Sequence, residues 1–406
     1  MASTDCNNEN DALEDDPLTE DLLPTSNITF DKDKHVMYFK RCMAYLPEPY
    51  TNNDTNRMTL AFFGLGGLDL LNMIETIYSA EQREQWIDWI YAQQILPDKD
   101  NPGKLLNTLL RSNVPRLKFQ SLRPWLELNR HICGFRGSPF SGLPYSREGC
   151  RESRFPFDAA HLAMTYTALC SLLILGDDFS RIDRGAIING LTYLQKDDGS
   201  FTQTYHGMES DMRFLYCACA ISYMLKDFSG INIEKCVDYI RRSQGYDYGI
   251  GQKPGLESHG GSTYCAISAL SLLNKIDEGL ISKDRTIFWL LSRQVSGFQG
   301  RANKPEDTCY SFWIGASLKP SFDLKILGAF DYIDKEANRL FLSTTQGRQG
   351  GFSKWPDLIP DIMHAYMGIA GLSLMDEPGM STLDCALNIS RKARQNLENS
   401  VFWQGD

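Results

Sequence analysis

A short pattern returns about every 50 residues in this chain, and it limits the possible fold more than any other feature. Each copy is an amphipathic helix ending in glutamine, a glycine-containing loop, then an apolar helix opened by polar residues. The closing glutamines Gln195, Gln244, Gln294 and Gln346 lie 49, 50 and 52 residues apart. The loops after them read Asp198-Gly199-Ser200-Phe201, Tyr248-Gly249, Gly297-Phe298-Gln299-Gly300 and Gly350-Gly351-Phe352. A degenerate copy joins Gln93 or Gln94 to Gly134-Phe135-Arg136-Gly137. A period of this length means units that bury their apolar faces only against neighbours. HLAMTYTALCSLLILG, MRFLYCACAISYML, STYCAISALSLL, YSFWIGASL and AYMGIAGLSLM are apolar nearly all round and are predicted as buried helices. IEKCVDYIRRSQ and EQREQWIDWIYAQQ, charged on one face, are predicted outside them. The expected fold class is all-α: two concentric rings of helices, an α-α barrel or toroid of helical-pair repeats around a central cavity.

Composition sets the outer limits. The first 30 residues hold eight acidic side chains and no basic one, leaving −2 of the total charge of −10 for the rest. Residues 1–30 are therefore expected to be a solvated acidic tail, the barrel to span 31–380, and 381–406 to be a C-terminal extension. No basic stripe is interleaved with aromatics, so nucleic acid is not an expected partner. The N-terminus lacks the basic start and apolar core of a secretory signal, and no apolar run approaches the roughly 18 residues of a membrane helix. Eleven cysteines without a C-x-x-C pair suit reduced thiols. A cytoplasmic location without stable membrane insertion is expected.

The register of the polar residues carries more than their number. About ten residues past each loop, at the start of the buried helix, stand Asp158 and His161; Glu209, Asp211 and Arg213; Glu257 and His259; Asp307 and Cys309; Asp361 and His364. Equivalent offsets in a closed ring converge on one end of the cavity. Helix capping alone accounts for one acidic residue per repeat, and for Asp158 and Asp211 it is as good an account as chemistry. It does not account for three of six histidines, a cysteine and an arginine in the same ring. Asp307, Cys309 and His364 supply carboxylate, thiolate and imidazole from adjacent repeats, the three mixed ligands of an open catalytic zinc site. A lone D-x-C means nothing by itself, and a buried cysteine is commonly a small hydrophobe; only the register lifts the set. His259 with Gly260-Gly261, Arg301, Lys304 and Tyr310 gathers cations and donors suited to a phosphate or diphosphate. Taken singly, Arg301 or Lys304 is more simply surface charge. Tyr216, Tyr264, Phe312 and Trp313 can line a greasy cavity, although core packing is the stronger account of such aromatics.

The combination RANKPEDTCYSFW, LESHGGSTYC, DMRFLYCA, HLAMTY and GGFSKWPDLIPDIMHAY resembles the β subunit of protein prenyltransferases, most of all the type I geranylgeranyl-transferring branch. The resemblance runs from about residue 34 to about residue 375. It implies an α-α barrel, one zinc ion, an obligate helical α subunit and geranylgeranyl diphosphate as donor. The acceptors it implies are C-terminal C-a-a-X proteins with X mostly Leu, such as Rho-, Rac- and Rap-type small GTPases. Residue by residue, it assigns Asp307, Cys309 and His364 to zinc. It assigns His259, Gly260, Gly261, Arg301, Ala302, Asn303, Lys304, Tyr310, Ser311, Phe312, Trp313, Arg213, Tyr216 and Thr59 to the donor. His161, Ala163, Glu209, Arg213, Phe214, Met363 and Met367 go to the acceptor peptide. Farnesyl-transferring and Rab-directed relatives are the near alternatives. A terpene cyclase and a non-catalytic scaffold are the distant ones.

Three positions depart from relatives. Thr59 stands where farnesyl-specific relatives carry tryptophan, which implies room for a fourth isoprene. Lys354 stands where they carry an aspartate that helps hold magnesium; a lysine cannot ligate a cation but can neutralise phosphate, so zinc without a magnesium requirement is expected. Lys354 is thereby a catalytic candidate, with a solvated surface lysine as its plain alternative. Met367 replaces a usual aromatic in the acceptor pocket. The stretch of about 101–130 is an insert in the family pattern and, with Pro115 and Pro124 inside it, is expected to pack poorly.

Overall fold

A computed structural model describes residues 30–46, 48–97, 129–141, 158–319 and 327–404. The acidic tail and most of the insert lie outside the described residues. Twelve helices among those described build two rings. The inner, even-numbered helices are α2 (Arg57–Leu70), α4 (Leu162–Leu175), α6 (Met212–Met224), α8 (Gly260–Leu272), α10 (Thr308–Leu318) and α12 (Ile362–Leu374). The outer, odd-numbered ones are α1 (Lys32–Ala44), α3 (Ala80–Tyr91), α5 (Arg184–Thr192), α7 (Ile233–Arg242), α9 (Lys283–Leu291) and α11 (Lys335–Thr345). Each inner helix packs on the next and α12 packs on α2, so the ring closes. The five apolar stretches named above all contribute inner helices, as their all-round hydrophobicity requires.

The repeat glutamines have a physical task. Each backbone pairs across its own loop, Gln94 with Phe135, Gln195 with Phe201, Gln244 with Ile250, Gln294 with Phe298 and Gln346 with Phe352. This identifies Gln94, not Gln93, as the glutamine of the degenerate copy. The side-chain amide, a donor and an acceptor on one short stem, then clips the entrance of the next outer helix. Gln195 donates to Asn232 O at 3.1 Å and accepts from Asn232 N at 2.6 Å. Gln294 does the same with Asp334 at 2.7 and 2.9 Å. Gln346, in the last copy, bonds His35 Nε2 at 2.9 Å, so α1 takes the place of a next outer helix.

A second set of bonds registers the inner ring. The first N–H of an inner helix has no partner in its own helix. Leu162, Met212, Gly260 and Thr308 donate instead to the carbonyls of Gln203, Gln252, Gly300 and Lys354 in the following repeat, at 2.8 to 3.1 Å. In α12 the Ile362 N–H reaches the Tyr50 hydroxyl at 3.2 Å, closing the circle again.

The residues after 380, expected as an extension, enter the barrel. Strands β1 (Leu383–Asp384) and β2 (Ile389–Ser390) form a hairpin whose tip meets tyrosines of four inner helices. Tyr264, Tyr216, Tyr166 and Tyr366 donate to the carbonyls of Cys385, Ala386, Leu387 and Asn388 in turn, at 2.8 to 2.9 Å. All four tyrosines lie five residues past their helix N-caps, which puts this floor about 7.5 Å below the caps. Helix α13 (Arg391–Glu398) then packs on α4, with Asn396 bonded to Leu173 O. The nine cysteines among the described residues are all free, and no described helix is long and apolar enough to cross a membrane.

Candidate active site at the mouth of the barrel

The N-caps of five inner helices form the mouth, and they are His161, Asp211, His259, Asp307 and Asp361. Capping and site-building therefore coincide, because the cap bond fixes how each side chain is aimed. His161 Nδ1 accepts from Ala163 N, and His259 Nδ1 from Ser262 N, at 3.2 and 3.3 Å. An accepting Nδ1 assigns the ring proton to Nε2. Burial lowers both pKa values; at His259 the Arg301 charge adds to this while Glu257 opposes it. Both rings are neutral donors at neutral pH.

Asp307, Cys309 and His364 bring their ligand atoms within 4.8 Å of one another, and all three are buried. Asp307 Oδ1 lies 3.4 Å from His364 Nε2. Bonds of about 2.0–2.3 Å to one tetrahedral ion would separate two ligand atoms by roughly 3.3–3.7 Å, so the Asp307–His364 spacing fits a shared metal ion, and Cys309 is near enough to complete the set. Asp361 Oδ2 takes the other ring nitrogen, Nδ1, at 2.6 Å, which leaves Nε2 directed at Asp307. The pocket attracts positive charge. Burial pushes the Cys309 thiol up, and the Asp307 carboxylate pushes it further. Burial works against protonation of His364, yet Asp307 and Asp361 hold its pKa at about 9. Asp307 is held low by its bonds to His364 and Cys309, despite its own burial.

Lys354 is drawn to this cluster by the inter-repeat bond from Thr308 N to its carbonyl. Its ammonium stands 3.9 Å from Asp307 Oδ2 and 4.4 Å over the Trp355 ring. Beside it, His259 Nε2 meets the Tyr310 hydroxyl at 2.9 Å, and burial keeps that phenol protonated. The glycine pair makes room for these rings: a Cβ on Gly260 would come within 3.0 Å of Tyr310, and one on Gly261 within 3.1 Å of His259. Arg301 pairs with Glu257 at 3.1 Å, in the loop where Ala302, Asn303 and Lys304 are exposed. Across the mouth, Arg213 binds Asp211 at 2.6 Å and Glu209 at 2.5 Å, with Phe214 beside His161. Thr59, in the first turn of α2, donates to Met164 Sδ at 3.2 Å. Ala163, Met363 and Trp313 are half-buried.

Among the expected site residues Ser311 faces away from the mouth, and Phe312, Met367 and Tyr216 are enclosed in the packing. The Ser311 hydroxyl donates to Asn338 on α11, because its position on α10 points outward. Phe312 has no exposed surface and packs between Tyr264 and Trp313. Met367 is only 2% exposed, a core residue of α12. Tyr216 spends its hydroxyl on the floor carbonyl of Ala386. Asp158 is fully buried against Arg136, with two contacts of 2.9 Å, and so leaves the ring of mouth residues. Asp361 positions His364, a role for which the Asp-x-x-His spacing at a helix start is the one signal in the sequence. The floor hairpin left no signal in sequence, since a carbonyl acceptor has no residue type. A separate cavity of about 560 Å³ opens between α1, α2 and α3, lined among others by Met43, Tyr50, Trp86 and Trp89.

Known proteins share this fold. The profile of the prenyltransferase alpha-alpha toroid domain matches residues 30–389. The chain belongs to the prenyltransferase alpha-alpha toroid family. The geranylgeranyl transferase type-1 subunit beta of Dictyostelium discoideum is 38% identical over 89% of this chain and 96% of its own length. That of Arabidopsis thaliana is also 38% identical, over 89% of this chain and 88% of its own. A protein farnesyltransferase subunit beta, from Schizosaccharomyces pombe, is 26% identical over 87% of this chain and 80% of its own. Among solved structures, Candida albicans protein geranylgeranyltransferase-I complexed with GGPP matches with a TM-score of 0.73 and 26% identity, over 91% of this chain and 98% of that one.

Proposed function

We propose that this chain is the catalytic β subunit of a zinc-dependent protein geranylgeranyltransferase of type I. It transfers geranylgeranyl from its diphosphate to the cysteine of C-a-a-X proteins, X mostly Leu, such as Rho-, Rac- and Rap-type small GTPases, in the cytoplasm. The observation that carries this is the buried Asp307–Cys309–His364 set adjoining a patch of neutral and cationic donors. Asp307, Cys309 and His364 would hold zinc, which would lower the pKa of an acceptor thiol so that it reacts as the thiolate, its proton passing to solvent. Asp361 keeps the His364 ring turned to its ligand position. The acceptor sulfur bonds to the first carbon of the donor as the carbon–oxygen bond to diphosphate breaks. Tyr310, His259, Arg301, Lys304 and Lys354 meet the charge that grows on the departing oxygens, and no general base is required. The ammonium of Lys354 serves where the farnesyl-transferring relatives use magnesium.

Geometry also supports a direction for the donor chain. The floor lies too close beneath the caps for a 20-carbon chain to run straight down the axis. In a ring of six inner helices α8 stands opposite α2, so a chain entering at His259 runs over the tyrosines toward Thr59. His161, Glu209 and Arg213 hold the acceptor's terminal carboxylate, with Ala163, Phe214 and Met363 around its last side chain. Exposed apolar residues on the mouth loops, Met208, Leu256, Leu358 and Ile359, suit the docking of a helical α subunit. The test is metal content and transfer together, in chain co-expressed with that subunit. About one zinc per chain is expected, with geranylgeranyl moved to Leu-ending peptides. Cys309→Ala loses metal and transfer while keeping the fold; full zinc and activity in that variant would remove the assignment.

A further inference from the structure

Glu257 lies two residues before His259, outside the metal cluster and outside every role assigned above. Its Oε2 sits 3.1 Å from Arg301 Nη1, and both side chains are about half exposed, at 57% and 43%. Four charged groups act on the neutral His259 ring: Arg301 and Arg213 disfavour its protonation, while Glu257 and Asp307 favour it. Asp307 is committed to the metal set and Arg213 to Asp211 and Glu209. Glu257 is therefore the carboxylate that answers Arg301 at this side of the mouth.

We propose that Glu257 is a positioning residue for the donor: it is the resident counter-ion of Arg301, displaced when a diphosphate binds and restored when the diphosphate leaves. This rests on the reading of Arg301 as a diphosphate contact. An exposed carboxylate–guanidinium pair is weak, so it yields readily to a more highly charged anion. Diphosphate carries several negative charges on oxygens that suit the planar fork, whereas Glu257 offers one. The displaced carboxylate stays tethered two residues from His259 and repels the bound diphosphate. That repulsion is small beside the attraction of Arg301, Lys304 and Lys354, yet it favours release of the product anion. The pair also holds the long Arg301 side chain at the mouth before any ligand arrives.

The experiment measures inhibition by inorganic diphosphate and the KM for donor, using full-length chain in complex with its partner subunit. Glu257→Gln keeps size and hydrogen bonding but removes the charge. It is expected to tighten diphosphate inhibition about three- to tenfold at low salt and to lower donor KM without raising kcat. The gain shrinks in about 0.5 M salt, where screening is short-ranged, a dependence that a purely structural role does not produce. Glu257→Asp, which restores the charge, returns the values toward wild type. Arg301→Ala is the control for the underlying reading and weakens diphosphate binding. Unchanged or weaker diphosphate binding in Glu257→Gln, with Arg301→Ala behaving as stated, overturns the role of Glu257 alone. If Arg301→Ala leaves diphosphate affinity intact, the diphosphate assignment of Arg301 falls and this proposal falls with it.

Discussion

Replacing Asp361 by asparagine isolates one atom of the candidate metal site. Asp361 does two things: Oδ1 caps α12 by accepting from Met363 N and His364 N at 3.1 and 3.0 Å, and Oδ2 accepts from His364 Nδ1 at 2.6 Å. Asparagine is as good a cap as aspartate, so helix α12 keeps its start. What changes is the partner of the imidazole, a neutral group in place of a carboxylate. Removing such an outer partner typically costs 10- to 100-fold in metal affinity, or about 1.4 to 2.8 kcal/mol. Asp361→Ala loses the cap as well, adding about 1 kcal/mol of instability that the asparagine variant does not show. The assay is competition for zinc against a chelator of known affinity, with thermal unfolding of the metal-free form alongside. Asparagine should weaken zinc by at least tenfold and, because it also removes the charge that holds the His364 pKa at about 9, lower the metal-free unfolding temperature, but by less than alanine does. Zinc affinity within twofold of wild type would refute the idea that this 2.6 Å bond orients and polarises the ligand.

Other outcomes follow from the same geometry. Thr59→Trp fills the space beside Met164 at the far end of the proposed donor path and should shift preference toward farnesyl diphosphate; unchanged donor selectivity in paired assays would place the length gate elsewhere. Lys354→Ala should slow transfer more than it weakens donor binding, and Lys354→Asp should recover part of that rate only with added millimolar-scale magnesium. A wild-type rate that collapses on magnesium removal with zinc still bound would contradict this. His35 is buried between Gln346 and Gly351, and burial lowers its pKa from 6.5 to about 4 despite the bond to Gln346. Because the unfolded chain binds the proton more tightly, the ring closure is fully stable above about pH 6.5. It should lose about 3 kcal/mol as pH falls through 4. Urea unfolding between pH 7 and 4 should show that slope flattened in His35→Gln; an identical slope would clear His35 of the effect.

The repeat, and with it the class of fold, is legible in the amino-acid order alone. Helix pairs with one fully apolar member and one amphipathic member have few ways to bury their surfaces, and a ring is one of them. That order also points to Asp307, Cys309 and His364 as a candidate metal set, because they fall within the first turn of adjacent inner helices, and neighbouring helix starts in a ring meet. Offset does not report direction, and there the tertiary structure decided. Asp158 shares the register of the mouth residues but turns to Arg136, and Ser311 sits next to Tyr310 on α10 yet faces Asn338, because neighbouring helix positions point about 100° apart. Closure was equally out of reach of a linear pattern. His35 meets Gln346, and Tyr50 meets Ile362, across more than 300 residues, and the floor is a row of backbone carbonyls that carry no residue identity. Local periodicity records which faces are buried; only the closed ring decides against what.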